Sequence, residues 1–436
     1  MTESIRDRLV PLRCRFHRHP EPAWCEFQTT ARLVDELESL DVDELAVGAD
    51  AYDPADRMAV PDDEELEPWL EGAREAGVRE DLLERMTGGT TGAVAVLNRG
   101  DGPAIGLRVD IDGLFIEEST DADHEPAAEG FRSAVDGTMH ACGHDAHMTW
   151  GLATLEAIVE SDFAGRLVVF FQPAEETGGG GCPMAKSKFA ADLDYLLAIH
   201  VGLDHPTGEV VAGIEKPLAM CHVDATIEGT SAHAGKAPNE GDNALHAMAT
   251  AIENAYGIPR HSDGMTRVNV GRAEAGTASN VIAERAHIVA EARGETTALM
   301  EYVKERLERT IKSAATLHGC RADVDIVSES PRADSDPELQ ALVSEVAADV
   351  AGVEHVLPSA DFGASEDATF LMERVQEEGG LASYLIVGTD HPTSHHTPTF
   401  DVDERSLVHG VDVLVETIRE LERRHPVSRR DDESEA

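Results

Sequence analysis

Lysine is scarce in this chain. The 436 residues carry 36 Lys and Arg against 84 Asp and Glu, a formal charge of −48. Only six of the basic residues are Lys, and none precedes Lys186. A surface so poor in positive charge excludes nucleic acid and anionic membrane as partners, because both require basic patches. Acid-rich, Lys-poor surfaces repel one another in ordinary buffer, and high salt screens the repulsion, so a salt-rich cytosol is expected. Paired CxxC spacings are absent as well. The six Cys (14, 25, 142, 182, 221 and 320) are scattered, which reads as reduced cytoplasmic thiols, not a disulfide framework. No stretch approaches the roughly 20 apolar residues of a membrane span. Residues 1–30 hold no apolar run of signal-peptide length. Repeats and low-complexity tracts are also missing.

What remains is ample apolar residue, 42% of the chain, enough for two or three packed domains. Residues 4–40 read as two helices around the turn His19-Pro20-Glu21-Pro22. A very acidic stretch, 41–84, follows, with a helical piece predicted around 71–86. The runs Ala93–Leu97 and Ile105–Val109 read as a buried pair of strands. Leu167–Phe171 and Tyr195–Ile199 are continuous apolar runs of parallel-sheet type, with a helix over 149–159 between them. Such alternation indicates an α/β layer. The middle differs: strands at 221–228, 266–270 and 287–292 and helices at 241–255 and 299–317 form a compact α+β unit. The α/β style then resumes with a helix at 338–350, a strand at 381–387 and a helix at 403–424. A solvated tail is expected from His425 to Ala436. The expected domains are therefore 1–217, 218–329 and 330–436, the second interrupting an α/β domain made of the other two.

The chemistry concentrates at strand ends. Residues 140–147 hold His140, Cys142, His144 and His147, where about 0.4 His would be the average for such a window. Imidazole and thiolate are usual ligands of divalent ions. Gly143 allows a tight bend between Cys142 and His144. The run Leu167–Phe171 leads directly into Gln172-Pro173-Ala174-Glu175-Glu176 and four glycines. Adjacent carboxylates diverge, so one can bind metal while the other handles a proton. Tyr195–Ile199 ends at His200. Ser394-His395-His396-Thr397-Pro398 follows the strand at 381–387, and Arg108-Val109-Asp110-Ile111-Asp112-Gly113 closes the strand at 105–109. In open α/β sheets the site lies outside the carboxyl ends of the strands. Five or six donors overfill one tetrahedral site, so a pair of metal ions is expected.

These segments, with Phe16-His17-Arg18-His19-Pro20-Glu21 and Ser365-Glu366-Asp367, follow the order seen in the M20 family of metallo-aminoacylases and carboxypeptidases. They resemble its amidohydrolase branch of auxin-conjugate and hippurate hydrolases. Arg57–Glu64, Arg267–Gly271, Arg293-Gly294-Glu295 and Gly380–Tyr384 further resemble its aminobenzoyl-glutamate-utilising members. The resemblance implies a di-metal α/β catalytic domain of aminopeptidase type, interrupted by a small α+β lid and dimerisation domain. It implies Cys142, His144, Glu176, His200 and His396 as metal ligands and Glu175 as general base. His396 is preferred to His395 by its spacing to Pro398 and Phe400. His140 and His147 match no ligand position. The resemblance makes His233 a group reaching a neighbouring subunit's active site, and makes Asn280 and Arg293 the holders of a substrate carboxylate. The implied ions are two Mn2+, with Zn2+ as the alternative favoured by the thiolate. The implied reaction is hydrolysis of an N-acyl amino acid, p-aminobenzoyl-glutamate first, a general hippurate or auxin-conjugate type second. A homodimer through the lid is implied, or a hetero-oligomer with a related second subunit in which this chain could be non-catalytic.

Overall fold

The structure is a computed structural model that describes residues 1–391 and 393–425. Past His425, the expected tail lies outside these residues. The strands in chain order are β1 (Glu44–Val47), β2 (Ala93–Asn98), β3 (Ala104–Asp110), β4 (Arg166–Gln172), β5 (Tyr195–Val201), β6 (Glu209–Val211) and β7 (Ile214–Glu215). There follow β8 (Ala219–Glu228), β9 (Thr266–Ala275), β10 (Arg285–Gly294), β11 (Arg321–Ser330), β12 (His355–Leu357), β13 (Ala360–Asp361) and β14 (Leu381–Val387). The chain divides into two compact units. One joins Met1–Glu215, Asp334–Asp361 and the chain from Phe370 onward; the other joins Lys216–Ala333 and Phe362–Thr369.

The first unit is built on an eight-stranded mixed sheet in the order β1-β2-β4-β3-β5-β14-β6-β12. Its centre is parallel: β4 with β3, β3 with β5, and β5 with β14. The continuous apolar runs there are explained by burial on both faces. Leu107, Val109, Leu167, Val169 and Phe171 pack in one core with Trp150 and Leu155 of the His144–Val159 helix and with Leu407, Val411 and Leu414 of the Arg405–Arg424 helix. The strands at 93–97 and 105–109 are not a pair, contrary to the expectation. β4 lies between them, antiparallel to β2 and parallel to β3. The connection that looks like a hairpin instead wraps the start of β4: the Arg99 amide donates to Gly165 O (2.7 Å) and the Arg166 amide to Pro103 O (2.9 Å).

The acidic stretch is also more structured than its composition suggests. It contributes β1, which pairs with β2. The single helical piece expected at 71–86 is two helices, Asp63–Glu75 and Glu80–Arg85, broken at Gly77 (φ +84°). Asp62 starts the first with a capping box closed by Glu65.

The second unit is a four-stranded antiparallel sheet, β11-β8-β10-β9. The Ala244–Tyr256 and Thr297–Leu317 helices cover one face. Ala225, Ile227 and Ile288 of the sheet meet Ala247, Ala251, Val303 and Leu307 of the helices. Inward and outward residues alternate along β8, as its sequence pattern requires. Sequence patterning missed β11, although Ala322, Val324 and Ile326 alternate with Asp323 and Asp325 along it. Together the two units form the mixed α/β fold expected of the chain. Among the described residues, no helix is long and apolar enough to cross a membrane.

Candidate metal centre

The carboxyl ends of the four parallel strands bring the donors together. β3 ends at Asp110, with Asp112 two residues on; β4 leads into Glu175 and Glu176; β5 carries His200; β14 leads to His396. Cys142 and His144 come from the start of the His144–Val159 helix. Its N-cap, Gly143, has φ +84°, and a Cβ there would stand 2.3 Å from Val201 Cγ1. That backbone conformation and close approach need glycine. Two further residues near the cluster have positive φ without being glycine: Ala174 (+54°) and His396 (+61°). Such outliers gather at functional sites, where the surroundings hold them.

Cys142 Sγ lies 3.5 Å from His200 Nε2, the separation of two ligands on one ion. Ligand atoms of Cys142, His144 and His200 lie within 4.8 Å of one another. The same holds for Cys142, Glu176 and His396, and for His144, Glu175 and Glu176. His144 Nε2 stands 3.9 Å from both Glu175 Oε2 and Glu176 Oε1, and His396 Nε2 stands 3.4 Å from Glu176 Oε1. His395 is turned elsewhere, its Nε2 donating to Val201 O at 3.1 Å.

Hydrogen bonds orient the imidazoles. His144 Nδ1 donates to Asp112 Oδ1 (3.1 Å), and its Nε2 is buried with no hydrogen-bond partner among the described residues. His200 Nδ1 donates to Val201 O (2.8 Å), which leaves Nε2 facing Cys142. An imidazole that donates through one nitrogen offers a lone pair on the other, so this donor set fits divalent cations. His147 is differently used: Nδ1 meets Asp110 Oδ1 at 2.5 Å, and Nε2 accepts from the Val201 amide at 2.9 Å. Arg108 holds the other Asp110 oxygen at 2.6 Å.

The field in the cluster is negative. Burial alone would lower His144, but the charges of Asp110, Asp112 and Glu176 and the Asp112 hydrogen bond outweigh it and raise His144 to about 10. His396 is raised by its contact with Glu176. Burial holds His147 down and His200 well down. A site that pulls protons so strongly suits a divalent cation equally well.

The other anticipated residues lie in the second unit. His233 is exposed after β8, and its Nδ1 accepts from the amides of Gly235 (3.1 Å) and Lys236 (3.2 Å). Inferred from these bonds, the neutral ring carries its hydrogen on Nε2, facing outward as a donor. Asn280 is adjacent, its carbonyl accepting from the Ala234 amide at 3.0 Å. Arg293, on β10, is paired to Glu291 through Nε (3.2 Å) and Nη2 (3.0 Å).

Sequence reasoning missed a buried network behind the helix start. Asp145 accepts from Arg13 Nε (3.0 Å) and His17 Nδ1 (2.9 Å), and Arg13 also reaches Asp401. His17 Nε2 meets Glu118 Oε1 at 2.9 Å, and His124 shares that oxygen at 2.8 Å. Charged residues among the buried positions of the Glu3–His17 helix were the available signal. His140, fully buried, has no hydrogen-bond partner at either ring nitrogen among the described residues, and burial lowers it to about 4.

A thiol and an imidazole from the helix start, with imidazoles and carboxylates from the strand ends, form groups that could hold divalent ions, and Asp112 behind them orients His144. Residues 106–420 match peptidase family M20/M25/M40, and the chain belongs to that family as an amidohydrolase. It is 37% identical to a subunit of the p-aminobenzoyl-glutamate hydrolase of Escherichia coli (strain K12) over 418 residues, 95% of this chain and 96% of that protein. It is 39% identical to indole-3-acetyl-aspartic acid hydrolase of Enterobacter agglomerans over 426 residues, 96% and 97% of the two. The fold matches the crystal structure of aminobenzoyl-glutamate utilization protein from Klebsiella pneumoniae with a TM-score of 0.81, at 34% identity and 98% coverage of both chains.

Proposed function

We propose that the chain hydrolyses the amide bond of a small N-acyl amino acid, with p-aminobenzoyl-glutamate, yielding p-aminobenzoate and glutamate, as the best substrate. The observation that carries the reading is the placement of Glu175 beside the donor cluster, 3.9 Å from His144 Nε2. Cys142, His144, Glu176, His200 and His396 are assigned as ligands of two divalent ions, Mn2+ first and Zn2+ second. When bound, such ions supply a water of lowered pKa and polarise an amide carbonyl. Glu175 takes the proton of the attacking water and passes it to the leaving nitrogen. His233 of a neighbouring subunit is assigned the developing oxyanion, consistent with the outward donor on Nε2. Asn280 and Arg293 are assigned the substrate carboxylate; Arg293 would exchange its Glu291 partner for a bidentate grip on it.

The second reading is indole-3-acetyl-aspartate or a hippurate-type conjugate, favoured by the similarity to the Enterobacter enzyme. Both relatives' named substrates join an aromatic acyl group to an acidic amino acid, which narrows the class. The second unit is proposed as the lid and dimerisation domain of a homodimer. The E. coli relative's name as one subunit of its hydrolase supports the alternative, a hetero-oligomer. Six free thiols support a cytoplasmic setting.

The test is a panel of N-acyl amino acids at high salt, with the isolated chain loaded with Mn or Zn. The expected outcome is the highest kcat/KM on p-aminobenzoyl-glutamate. A preference for indole-3-acetyl-aspartate or hippurate selects the second reading. No hydrolysis of any member by fully metal-loaded protein overturns both readings for the chain alone.

A further inference from the structure

The turn that presents Glu175 and Glu176 is held by groups outside it. Pro173 has no amide hydrogen, and Ala174 sits at φ +54°, a left-handed conformation that disfavours any residue with a Cβ. Two internal bonds close the turn: the Gly179 amide donates to Ala174 O (2.9 Å), and the Gly178 amide to Glu175 O (2.7 Å). The amides flanking Glu175 donate outward. That of Glu176 goes to Asp112 Oδ2 at 3.0 Å, and that of Ala174 goes to Glu26 Oε1 at 2.8 Å.

Glu26 is fully buried and stands at the N-cap of the Phe27–Leu37 helix, whose Leu33, Val34 and Leu37 are core residues. Its second oxygen is bonded to the Thr91 hydroxyl at 2.6 Å. Both carboxyl oxygens are thereby committed, one to the strained turn and one to a fixed neighbour. Burial first, and the negative charge of Asp112 second, push the Glu26 carboxyl well above the usual carboxylate range. Burying a carboxyl group is costly unless hydrogen bonds compensate it, and here Ala174 and Thr91 supply them. The same turn is gripped from the acidic stretch: the Met58 amide donates to Gly179 O (3.4 Å), and Met58 O accepts from the Trp24 indole (2.8 Å).

We propose that Glu26 is a positioning residue: by holding the Ala174 amide, it sets where the Glu175 carboxylate stands relative to the donor cluster. The proposal rests on the reading of Glu175 as general base. Glu26 acts through backbone and touches neither water nor substrate. Misplacing a reacting group by about 1 Å can cost on the order of 100-fold in rate. Loss of the hold should therefore appear in kcat, while KM and metal binding stay near their original values. Gln is the isosteric replacement: its amide oxygen accepts from Ala174, and its NH2 can donate to Thr91 Oγ1.

The experiment compares Glu26→Ala, Glu26→Gln, Thr91→Val and Glu175→Gln in the full-length, metal-loaded enzyme. Each is read for kcat, KM, metal content and Tm. Glu26→Ala is expected to lower kcat by about 10–100-fold with KM within about threefold and metal content intact. Glu26→Gln is expected to recover at least about tenfold of that loss. Should Glu26→Ala fail to fold, Thr91→Val carries the test, because it frees the Glu26 carboxyl without touching Ala174; a several-fold fall in kcat alone is expected. Folded, metal-loaded Glu26→Ala with the turnover of the original enzyme overturns the proposal. So does a Gln variant as slow as the Ala variant, or, where Ala does not fold, Thr91→Val with undiminished kcat. An active Glu175→Gln enzyme overturns the base reading instead, whatever Glu26 does.

Discussion

Asp112 serves two groups at once, bonding His144 Nδ1 at 3.1 Å and the Glu176 amide at 3.0 Å. An Asn in its place has one acceptor oxygen and no charge, so it cannot serve both or favour the same imidazole tautomer. Asp112→Asn should weaken metal binding by about 10–100-fold, measured by calorimetric titration of the metal-free protein. Glu175→Gln should abolish turnover while metal stays bound, because the amide cannot accept the water's proton; unchanged turnover would remove Glu175 from the base role. His17 offers a pH test. Burial would lower it, but its hydrogen bonds to Asp145 and Glu118, and their charges, raise it from 6.5 to about 9. A raised pKa stabilises the fold fully below about pH 6.5, and that stability is lost as pH climbs through about 9, on the order of 3 kcal/mol in all. Urea unfolding from pH 6 to 9.5 should show this decline, and in His17→Gln it should be shallower, the remainder belonging to the raised His144.

At the scale of elements, the junction of β5 with the His144–Val159 helix is the critical contact. Val201 donates its amide to His147, and its carbonyl accepts from His200 and His395. Gly143 stands against its side chain. Gly143→Ala introduces a left-handed alanine and a 2.3 Å contact with Val201 Cγ1. It should cost about 1–3 kcal/mol in urea unfolding and weaken metal binding together. Stability lost without any change in metal affinity would show that the junction does not set the ligands. Helix and strand positions here were largely legible, because long apolar runs and helical periodicity are local signals. The place of β4 between β2 and β3 was not. Order within a sheet depends on which strands meet after the chain folds back, and the five-residue link from Asn98 to Ala104 looks locally like a hairpin.

Across the whole molecule the charge of −48 dominates. Most of the 84 acidic residues lie outside the candidate metal site. The Debye length shrinks from about 10 Å at 0.1 M salt to about 3 Å at 1 M, which shortens the reach of the self-repulsion. Melting in a KCl series should show Tm rising steeply with salt and the fold lost at low salt; a Tm independent of KCl would argue against a salt-rich setting. The proposed substrate is also anionic and must approach against this field. Salt should therefore lower KM as well as raise stability.

The sequence by itself, through its motifs and the family resemblance they carry, pointed to the proposed ligands and to the carboxyl ends of a parallel sheet. Cys142, His144, Glu176, His200 and His396 each follow an apolar run or turn signal, and strand ends on one side of a parallel sheet must converge. Only the tertiary structure decided how those atoms are aimed. Asp112 fixing His144, Val201 serving His147 and His395, Arg13 and His17 flanking Asp145, and Glu26 holding Ala174 are all bonds between residues far apart in the chain. No local pattern encodes them, because a buried polar residue shows its purpose only once its partner has been folded against it.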